Sequence, residues 1–268
     1  MKLQVIINPR NISSKDRAFN YGDGLFETIL IKNNRPLYLN EHITRLRNGC
    51  RKLKLLIPPK SLIENSITKT IDRSKDCIVK IIYSRGFSDH GYTYDKNIIP
   101  IMYFIKKDKS NIDRKHSVTL GYSNYKLSKI TYLSKIKHLN RLEQILGATF
   151  VDNKKYDNHI LMDVNNNIIE CISSNIFFYQ HKNNKYIFDT PDLSNAGVDG
   201  IMKSVIIKFM KRKRMNFAEK TINQKDLDKY DGAFICNSIS GVQYVSKIES
   251  YKFDYDTNLE KIVNKFIY

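Results

Sequence analysis

Two apolar runs separated by an asparagine-rich turn are the feature that most constrains how this chain can fold. The run HILMD ends at Asp163 and the run IIECISSNIFFY begins at Ile168, with Asn165, Asn166 and Asn167 between them. Asparagine tolerates the left-handed backbone that tight turns require, so apolar runs flanking such a turn indicate an antiparallel hairpin. The chain is therefore expected to build a sheet around this hairpin.

Short strand and helix signals alternate along the rest of the sequence. The runs VIINP, ETILIK and PLYL are strand-like, with Asn33–Asn34 as a hairpin turn, and Asn40 and Pro58–Pro59 mark two helix starts. The runs CIVKIIYSRG, IIPIMYFIK, SVTLGY, YIFDTP, DGAFICNS and VQYVSKI indicate further strands. A helix is expected near Ile201 and a short one at the end of the chain. This pattern predicts an α+β, or mixed α/β, fold class.

The length of 268 residues allows one large domain or two smaller ones. A polar, charged stretch without periodicity runs from Lys106 to Lys115, and Ser123–Asn124 offers a slightly later position for a linker. We predict a smaller N-terminal α/β domain over residues 1–115 and a larger C-terminal domain over residues 116–268.

The composition argues against several classes of protein. The net charge of +18, from 45 basic and 27 acidic residues, would suit nucleic-acid binding, but the lysines are scattered and the only dense run is 211–214. That run follows apolar-periodic residues and predicts the basic last turn of a helix, so neither nucleic acid nor a membrane is expected as a partner. A positive field instead favours a small anionic substrate.

Location and metal content are predicted from what the sequence does not show. No apolar run approaches the roughly 20 residues that cross a bilayer, and no signal peptide is evident, which predicts a cytoplasmic protein. The histidines show no metal-binding spacing, so no metal site is expected. The four cysteines lie among apolar neighbours and predict buried thiols rather than disulfides or metal ligands: Cys50, Cys77, Cys171 and Cys236.

The segment SKIKHLNRLEQILGATF, residues 134–150, places a lysine where a helix is expected to begin. Apolar residues recur there at helical spacing: Ile136, Leu139, Leu142, Ile145, Leu146 and Phe150. Lys137 would then lie at the positive end of the helix dipole, which favours the neutral amine that Schiff-base chemistry requires. A surface lysine in a lysine-rich protein would give the same pattern.

Three other features are individually weak indicators of function. The stretch NAGVDGI, residues 195–201, carries glycines at an expected helix start, where backbone N–H groups bind phosphate, although such a start is often only a tight turn. Glu170 lies among apolar residues and needs a partner, which any lysine could supply. Arg45, in the first turns of its helix, is either an exposed arginine or a phosphate ligand.

Taken together, these features resemble the fold-type IV pyridoxal-phosphate enzymes, the family of the class IV aminotransferases, from Tyr21 to Val245. Six blocks occur in the family's order: NYGDGLFETI, EHITRL, KHLNRLEQ, IIECISSNIFF, AGVDGIMK and ICNS. The resemblance implies pyridoxal 5′-phosphate as the cofactor and a homodimer. It also implies that the larger C-terminal domain binds the cofactor and contains a β-barrel-like sheet.

Each block implies a role for a residue of this chain. By resemblance, Lys137 binds the cofactor covalently and acts as a base, Glu170 pairs with the pyridine nitrogen, and Arg45 binds the phosphate. The other cofactor-binding residues implied by the resemblance are Gly200, Ile201, Met202, Asn237 and Ser238. Within these blocks, Lys203 replaces the arginine that is usual at this helix start, a change that keeps the positive charge.

Within the family, the sequence is most similar to the aminodeoxychorismate lyases. KHLNRLEQ resembles their lysine block, and YSRGFSDHGY resembles their SRG…RGY block. Thr28, in GLFET, lies where they carry a threonine that assists proton transfer. The resemblance implies elimination of pyruvate from 4-amino-4-deoxychorismate to give 4-aminobenzoate for folate biosynthesis, with Lys137 and Thr28 as the catalytic residues.

One departure from the pattern concerns the substrate. His90 stands where family members usually place an arginine before Gly-Tyr, and a histidine is partly neutral near pH 7. Arg85 or a nearby lysine can compensate, so Arg85 and His90 are both candidates for substrate binding. The alternative function is a class IV aminotransferase that acts on a small amino acid, of the D-amino-acid or branched-chain type.

Overall fold

The structure is a computed structural model that describes residues 2–71, 76–108, 115–149, 151 and 155–267, the last four of them by backbone alone. The chain divides into two compact units. The first unit comprises Met1–Ile112 with Ile136–Arg141, and the second comprises Asp113–Lys135 with Leu142–Tyr268. Each unit combines helices with a sheet, which confirms the mixed α/β class. No described helix is long and apolar enough to cross a membrane.

The first unit contains a five-stranded sheet in the order β1-β5-β4-β2-β3. Its strands are β1 (Gln4–Ile7), β2 (Gly24–Lys32), β3 (Arg35–Pro36), β4 (Cys77–Ser84) and β5 (Ile101–Asp108). Its helices are α1 (Arg17–Tyr21), α2 (Leu39–Leu53) and α3 (Lys60–Thr70). Only the β1–β5 pair is parallel among the described strands of this sheet.

Turn and helix signals in this unit were largely predictive. Asn33 and Asn34 adopt the left-handed backbone, with φ of 48° and 65°, and connect β2 to β3 as expected. Helix α3 follows Pro59 as predicted. The predicted cap at Asn40 is wrong, because α2 already begins at Leu39 after Tyr38. Asn40 instead lies in the first turn of α2, where its carbonyl accepts a hydrogen bond from the Thr44 hydroxyl.

The side chains of β2 lie on two faces of the sheet, one of them buried and the other half-buried. Leu25, Glu27 and Ile29 are buried, whereas Phe26 and Thr28, which alternate with them, are only partly buried. Side chains alternate between the two faces of a strand, so Phe26 and Thr28 lie on one face and Glu27 on the other. The half-buried face is therefore the one that can present functional groups.

The second unit contains a nine-stranded sheet in the order β11-β10-β9-β12-β13-β6-β7-β8, with β14 paired to β13. Its strands are β6 (Ser117–Leu127), β7 (Asn158–Asp163), β8 (Ile168–Cys171), β9 (Asn175–Lys182), β10 (Lys185–Pro191), β11 (Asn216–Lys220), β12 (Gly232–Asn237), β13 (Gly241–Ile248) and β14 (Tyr251–Lys252). Its helices are α4 (Leu142–Thr149), α5 (Ile201–Arg212) and α6 (Thr257–Ile267), with a 3₁₀ turn at Gln224–Lys229.

The asparagine-rich hairpin is confirmed. Strands β7 and β8 pair antiparallel, and Asn166 in their connection has a φ of 61°. Helix α5 begins at Ile201 and ends with Lys211 and Arg212 in its last turn, as predicted. All four cysteines are buried thiols. The core of this unit packs apolar side chains from several strands, including Leu120 of β6, Phe178 of β9 and Val245 of β13.

Part of the predicted linker lies outside the described residues, namely 109–114. Its later alternative, Ser123–Asn124, is wrong because both residues lie inside the long strand β6. This strand pairs in parallel with both β13 and β7, so it is an interior strand of the sheet. The register of β6 against β7 shifts between Tyr122 and Lys126, and within this irregularity the Ser123 hydroxyl donates a buried hydrogen bond to the Gly147 carbonyl.

The helix predicted around Lys137 is also wrong. Helix α4 begins only at Leu142, and no residue from 136 to 141 is helical. The predicted apolar stripe does not form a core either, since Leu142 and Ile145 are 66% and 58% exposed. Phe150, its last member, lies outside the described residues. The dipole argument for a neutral Lys137 amine therefore fails.

Candidate active site

The backbone around Lys137 is hydrogen-bonded to the N-terminal end of β2 and does not form a helix. The Phe26 N–H donates to the Lys137 carbonyl at 2.9 Å, and the Leu139 N–H donates to the Gly24 carbonyl at 3.0 Å. A side chain at Gly24 would collide with the Tyr83 carbonyl and the Leu139 side chain, so glycine permits this close approach. This pairing with β2 overrides the local helical periodicity.

Two lysines face one aromatic ring on the half-buried face of β2. The Nζ atoms of Lys137 and Lys80 lie 4.3 Å and 5.5 Å from the centroid of the Phe26 ring. Lys80 on β4 pairs directly with Thr28 on β2. The structure therefore brings Lys137, Thr28 and Lys80 to one face of the sheet, and this set is called the first-unit group below.

The sequence did not single out Lys80 as a candidate site residue. Burial, and to a smaller extent Lys107, lowers the pKa of the Lys80 ammonium. The signal that could have found it is a single lysine in the otherwise apolar strand CIVKIIYS, where a cation must face a polar surrounding. A cation at this position can bind a carboxylate.

His138, next to Lys137, is held in its neutral form. Burial is the main cause that lowers its pKa to about 4, and the nearby Arg141 and Lys137 cations lower it further. Its Nδ1 atom is buried and has no hydrogen-bond partner among the described residues. A neutral neighbour adds no positive charge beside Lys137 at neutral pH.

Arg45 belongs to a buried ionic cluster with Glu27 and His42. Its Nε and Nη2 atoms donate to the two Glu27 carboxylate oxygens at 2.8 Å and 2.6 Å, and His42 Nδ1 lies 2.6 Å from Glu27. Burial alone would raise the pKa of Glu27, but Arg45 and His42 outweigh it and hold the pKa at about 2. Glu27 was not singled out from the sequence, and it lies on the face of β2 opposite Thr28.

Arg85 is engaged in structural contacts. Its Nε donates to Asp23 at 2.7 Å, and its two terminal nitrogens donate to the carbonyls of Lys54 and Leu53 at the end of α2. Its guanidinium also stacks over the Tyr94 ring at 4.2 Å. Each guanidinium nitrogen thus already has a partner, which favours a structural role over the substrate contact expected from the sequence.

The loop that contains His90 is anchored by its main chain. Arg17, which is 3% exposed, donates through Nη1 to the carbonyls of His90, Gly91 and Thr93 at 3.1, 2.8 and 3.0 Å. Its Nη2 lies 3.4 Å from the carbonyl of Tyr92. The His90 side chain is exposed. Arg17 therefore fixes the path of the loop without using its side chains.

In the second unit, Glu170 lies beside the start of α5. It is 5% exposed, and its Oε2 atom accepts a hydrogen bond from the Val198 N–H at 2.9 Å. Gly200 caps α5, and no described side chain caps the N–H groups of its first turn, whose residues are buried. A side chain at Gly200 would collide with Asn175 Oδ1, so the backbone there is packed tightly against β9.

Asn237 organises the turn after β12. Its Oδ1 accepts hydrogen bonds from the N–H groups of Ile239 and Ser240 at 2.9 Å and 2.6 Å. Its Nδ2 donates to the Ser174 hydroxyl at 3.0 Å. Asn237 therefore shapes the loop that carries Ser238. We call Glu170, Gly200, Ile201, Met202, Asn237 and Ser238 the second-unit group.

The two groups offer complementary chemistry. The first-unit group supplies amines and a hydroxyl, which can move protons and bind carboxylates. The second-unit group supplies an acceptor for a ring N–H and a helix N-terminus that attracts a phosphate. Among the described residues, no three histidine, cysteine, aspartate or glutamate side chains are placed to hold a metal ion.

The chain is similar to known proteins over most of its length. Residues 24–248 match the family model described as amino-transferase class IV. An aminodeoxychorismate lyase from Vibrio harveyi is 26% identical over 254 residues, which cover 93% of this chain and 92% of the relative. The crystal structure of 4-amino-4-deoxychorismate lyase from Pseudomonas aeruginosa has a TM-score of 0.89 and 25% identity, and covers 96% and 94% of the two chains.

A more distant structure extends the likeness in fold alone. The fold IV-transaminase CpuTA1 from Curtobacterium pusillum is 14% identical, with a TM-score of 0.80 over 97% of this chain and 90% of that chain. Its similarity confirms the predicted fold type. It carries no information about the substrate of this chain.

Proposed function

This chain belongs to the amino-transferase class IV family, and we propose that it is a pyridoxal-phosphate-dependent 4-amino-4-deoxychorismate lyase. The observation that carries the proposal is the first-unit group. Lys137 and Lys80 face the Phe26 ring on the same sheet face that presents Thr28. In an elimination from an anionic substrate, a base can remove the proton, a hydroxyl can hydrogen-bond the leaving group and a second cation can bind a carboxylate.

The residues of the second unit fit the cofactor. The start of α5 lacks a side-chain cap among the described residues, so its N–H groups suit a phosphate. We propose that Gly200, Ile201 and Met202 bind this phosphate and that the Asn237–Ser238 turn supports it. The buried Glu170 carboxylate is proposed to accept a hydrogen bond from the protonated pyridine nitrogen.

Arg45 is proposed to assist phosphate binding through the cluster that holds it. Glu27 receives two hydrogen bonds from its guanidinium, so the orientation of Arg45 is fixed before any ligand arrives. Fixing a guanidinium in advance lowers the entropy that binding costs. In this proposal Glu27 and His42 are positioning residues.

Proton movement is assigned to the first-unit group. When bound, pyridoxal phosphate supplies an electron-accepting ring that stabilises the charge left when the substrate loses a proton. We propose that Lys137 would hold the cofactor until the substrate amine takes its place, and that the lysine amine freed in this way takes the proton from the six-membered ring of the substrate. The bond between that ring and the enolpyruvyl oxygen then breaks with its electron pair on the oxygen, to which the Thr28 hydroxyl donates a hydrogen bond. The released enolpyruvate takes up, at its methylene carbon, a proton equivalent to the one that Lys137 removed, and becomes pyruvate. Lys80 binds a substrate carboxylate.

An activity assay decides between this function and its alternative. Purified protein is mixed with 4-amino-4-deoxychorismate, and release of pyruvate and 4-aminobenzoate is followed with and without an added 2-oxo acid. The lyase releases both products without the 2-oxo acid. Strict dependence on a 2-oxo acid would overturn the proposal and favour the alternative, a class IV aminotransferase acting on a small amino acid.

We further propose a cytoplasmic homodimer, as the family resemblance implies. Light scattering of the purified protein measures the assembly directly. A mass of one 31.4 kDa chain at micromolar concentration would contradict the dimer. Fractionation of the cells that produce the protein tests the location.

A further inference from the structure

A second cluster of aromatic and acidic side chains lies in the second unit, outside every residue assigned to the active site. It lines a pocket beside the first residue of β6, the middle of β13 and the segment that leads into α6. Tyr179, Tyr244, Tyr255, Asp254 and Asp256 are among its lining residues. We call this set the tyrosine–aspartate pocket.

Aromatic rings form one wall of the pocket. The Tyr244 and Tyr255 rings meet edge to face, with centroids 5.3 Å apart and an interplanar angle of 80°. The His116 ring lies 5.3 Å from Tyr244 and 5.6 Å from Tyr255, and its Nε2 lies 2.6 Å from the Tyr255 hydroxyl. Aromatic faces carry negative potential and attract organic cations.

One buried hydroxyl in this wall lacks a partner. Tyr244 is 6% exposed, and its hydroxyl oxygen is buried without a hydrogen-bond partner in the described part of the chain. Buried hydroxyls in folded proteins are nearly always satisfied by protein, water or ligand. Tyr244 is itself one of the residues that line the pocket.

Carboxylates form the other wall. Asp256 accepts hydrogen bonds from the N–H groups of Asn258 and Leu259 and from the Tyr186 hydroxyl at 2.7 Å, so it is fixed as the cap of α6. Asp254 is exposed and makes no ion pair with the described residues.

The field in the pocket is negative. Burial, and then nearby acidic groups, raises the pKa of both Tyr179 and Tyr244. Asp231 and Glu260 add to Asp254 and Asp256 as sources of this field. Two imidazole rings lie at the pocket wall: His116, whose Nε2 is 3.3 Å from Glu260, and His181, which stacks on Tyr186. The pocket is thus a region of negative potential on a chain of net charge +18, and such a region attracts cations.

We propose that the tyrosine–aspartate pocket binds the primary ammonium group of a small aliphatic amine. An ammonium has three N–H donors, which match the Tyr244 hydroxyl oxygen and the carboxylates of Asp254 and Asp256. The rings of Tyr244 and Tyr255 stabilise the same charge from the side. A quaternary ammonium has no donor for the buried hydroxyl, and a neutral alcohol has no charge for the carboxylates.

Calorimetric titration with putrescine at low salt tests the proposal on the full chain, whose cofactor is first fixed to the protein with borohydride so that a primary amine cannot react with it. We expect saturable binding, with tetramethylammonium and 1-butanol at least about tenfold weaker, because each lacks one element of the match. Nα-acetyl-lysine amide serves as the probe for a lysine side chain of a protein partner. Binding of this probe alone, or no binding of putrescine, overturns the proposal.

Three variants locate the binding. Asp254→Asn and Asp256→Asn each remove a charge, and asparagine still caps α6, so each is expected to weaken putrescine binding by about tenfold in a folded protein. Tyr244→Phe is expected to weaken binding similarly while raising the melting temperature of the amine-free protein, because a buried unsatisfied hydroxyl is removed. Asp228→Asn, an exposed acid outside the pocket, is the matched control. Equal affinities in control and pocket variants refute the assignment.

Discussion

The two units differ in whether their candidate functional groups are side chains or backbone groups. In the first unit these groups are side chains on one sheet face, namely those of Lys137, Thr28 and Lys80. In the second unit they are mainly backbone N–H groups at the start of α5, next to the Glu170 carboxylate. Side-chain chemistry depends on charge and on strand register, whereas backbone chemistry depends on how closely the main chain packs. Substitutions that change charge should therefore impair the functional groups of the first unit more, and substitutions that change volume should impair those of the second unit more.

The largest expected effect is the loss of the Lys137 amine. Lys137→Ala should lower kcat by at least about a thousandfold, because both covalent attachment and proton transfer are removed. Borohydride reduction followed by mass spectrometry should give no cofactor adduct in this variant. Lys129→Ala, an exposed lysine in a nearby loop, should retain both activity and adduct. An adduct that persists without Lys137 would show that another lysine carries the cofactor.

The buried ionic cluster sets the next effect, on stability. Glu27→Gln leaves Arg45 and His42 without their buried carboxylate and should lower the free energy of unfolding by about 3–5 kcal/mol. Glu64→Gln removes a half-exposed partner of Lys60 on α3 and should cost less than about 1 kcal/mol. Urea unfolding compares the two variants, and equal losses would mean that the cluster contributes nothing beyond a surface pair.

The same cluster predicts a pH dependence. The folded-state pKa of Glu27 is about 2, below its ordinary value of 4.5. Its contribution to stability is therefore fully present above pH 4.5 and is lost as the pH falls toward 2, because the unfolded chain takes up the proton first. The difference in unfolding free energy between the native protein and Glu27→Gln should shrink over this window. A constant difference would exclude Glu27 as its source.

A change of charge at Lys80 should affect substrate binding rather than folding. Lys80→Met keeps the apolar part of the side chain and should raise KM by about 10- to 100-fold, the loss expected for one charge-assisted hydrogen bond. Lys107→Met, on the neighbouring strand and exposed, is the control. Steady-state kinetics with 4-amino-4-deoxychorismate distinguish the two. An unchanged KM in Lys80→Met would remove this residue from the substrate-binding proposal.

A change of volume sharpens the comparison for the second unit. Gly200→Ala adds a single methyl group where Asn175 Oδ1 already lies, although the φ of −68° at Gly200 suits alanine. The resulting steric strain should cost about 1–3 kcal/mol and weaken cofactor binding. Equilibrium dialysis against pyridoxal phosphate measures this. Gly91→Ala, where an added Cβ meets nothing within 4 Å, should have no effect on the cofactor.

The smallest effect concerns His138. Its folded-state pKa of about 4 lies below the ordinary 6.5, so its contribution to stability is complete above pH 6.5 and falls as the pH drops toward 4. The imidazole proton resonances, assigned with a His138→Gln variant, should titrate near pH 4. A midpoint near pH 6.5 would show that the ring is not desolvated in the folded protein.

Local signals in the sequence predicted the elements that local chemistry determines. The glycines before Ile201 predicted the start of α5, and the asparagines predicted both hairpins. These predictions are correct because a turn or a helix cap depends on a few adjacent residues. The helix expected at Lys137 failed for the opposite reason. Its backbone is bound by Phe26 and Gly24, more than a hundred positions earlier in the chain, and no periodicity reports such a pairing.

The same limit explains which site residues were missed. Glu27 gains its importance only from Arg45 and His42, which are brought to it by the packing of α2 on β2. Lys80 gains its importance only from the register that sets it opposite Thr28. Family resemblance could name Lys137, Arg45 and Glu170 because those residues stand in recognisable blocks. It could not name partners that depend on tertiary pairing.

The contact between Arg17 and the loop at residues 90–93 has a consequence for redesign. Every contact that Arg17 makes there is to a carbonyl, and every amino acid has a carbonyl. The residue types at these four positions can therefore be exchanged widely while the path of the main chain is retained. A library that randomises these positions and leaves Arg17 intact would sample new surface chemistry on a loop of constant shape.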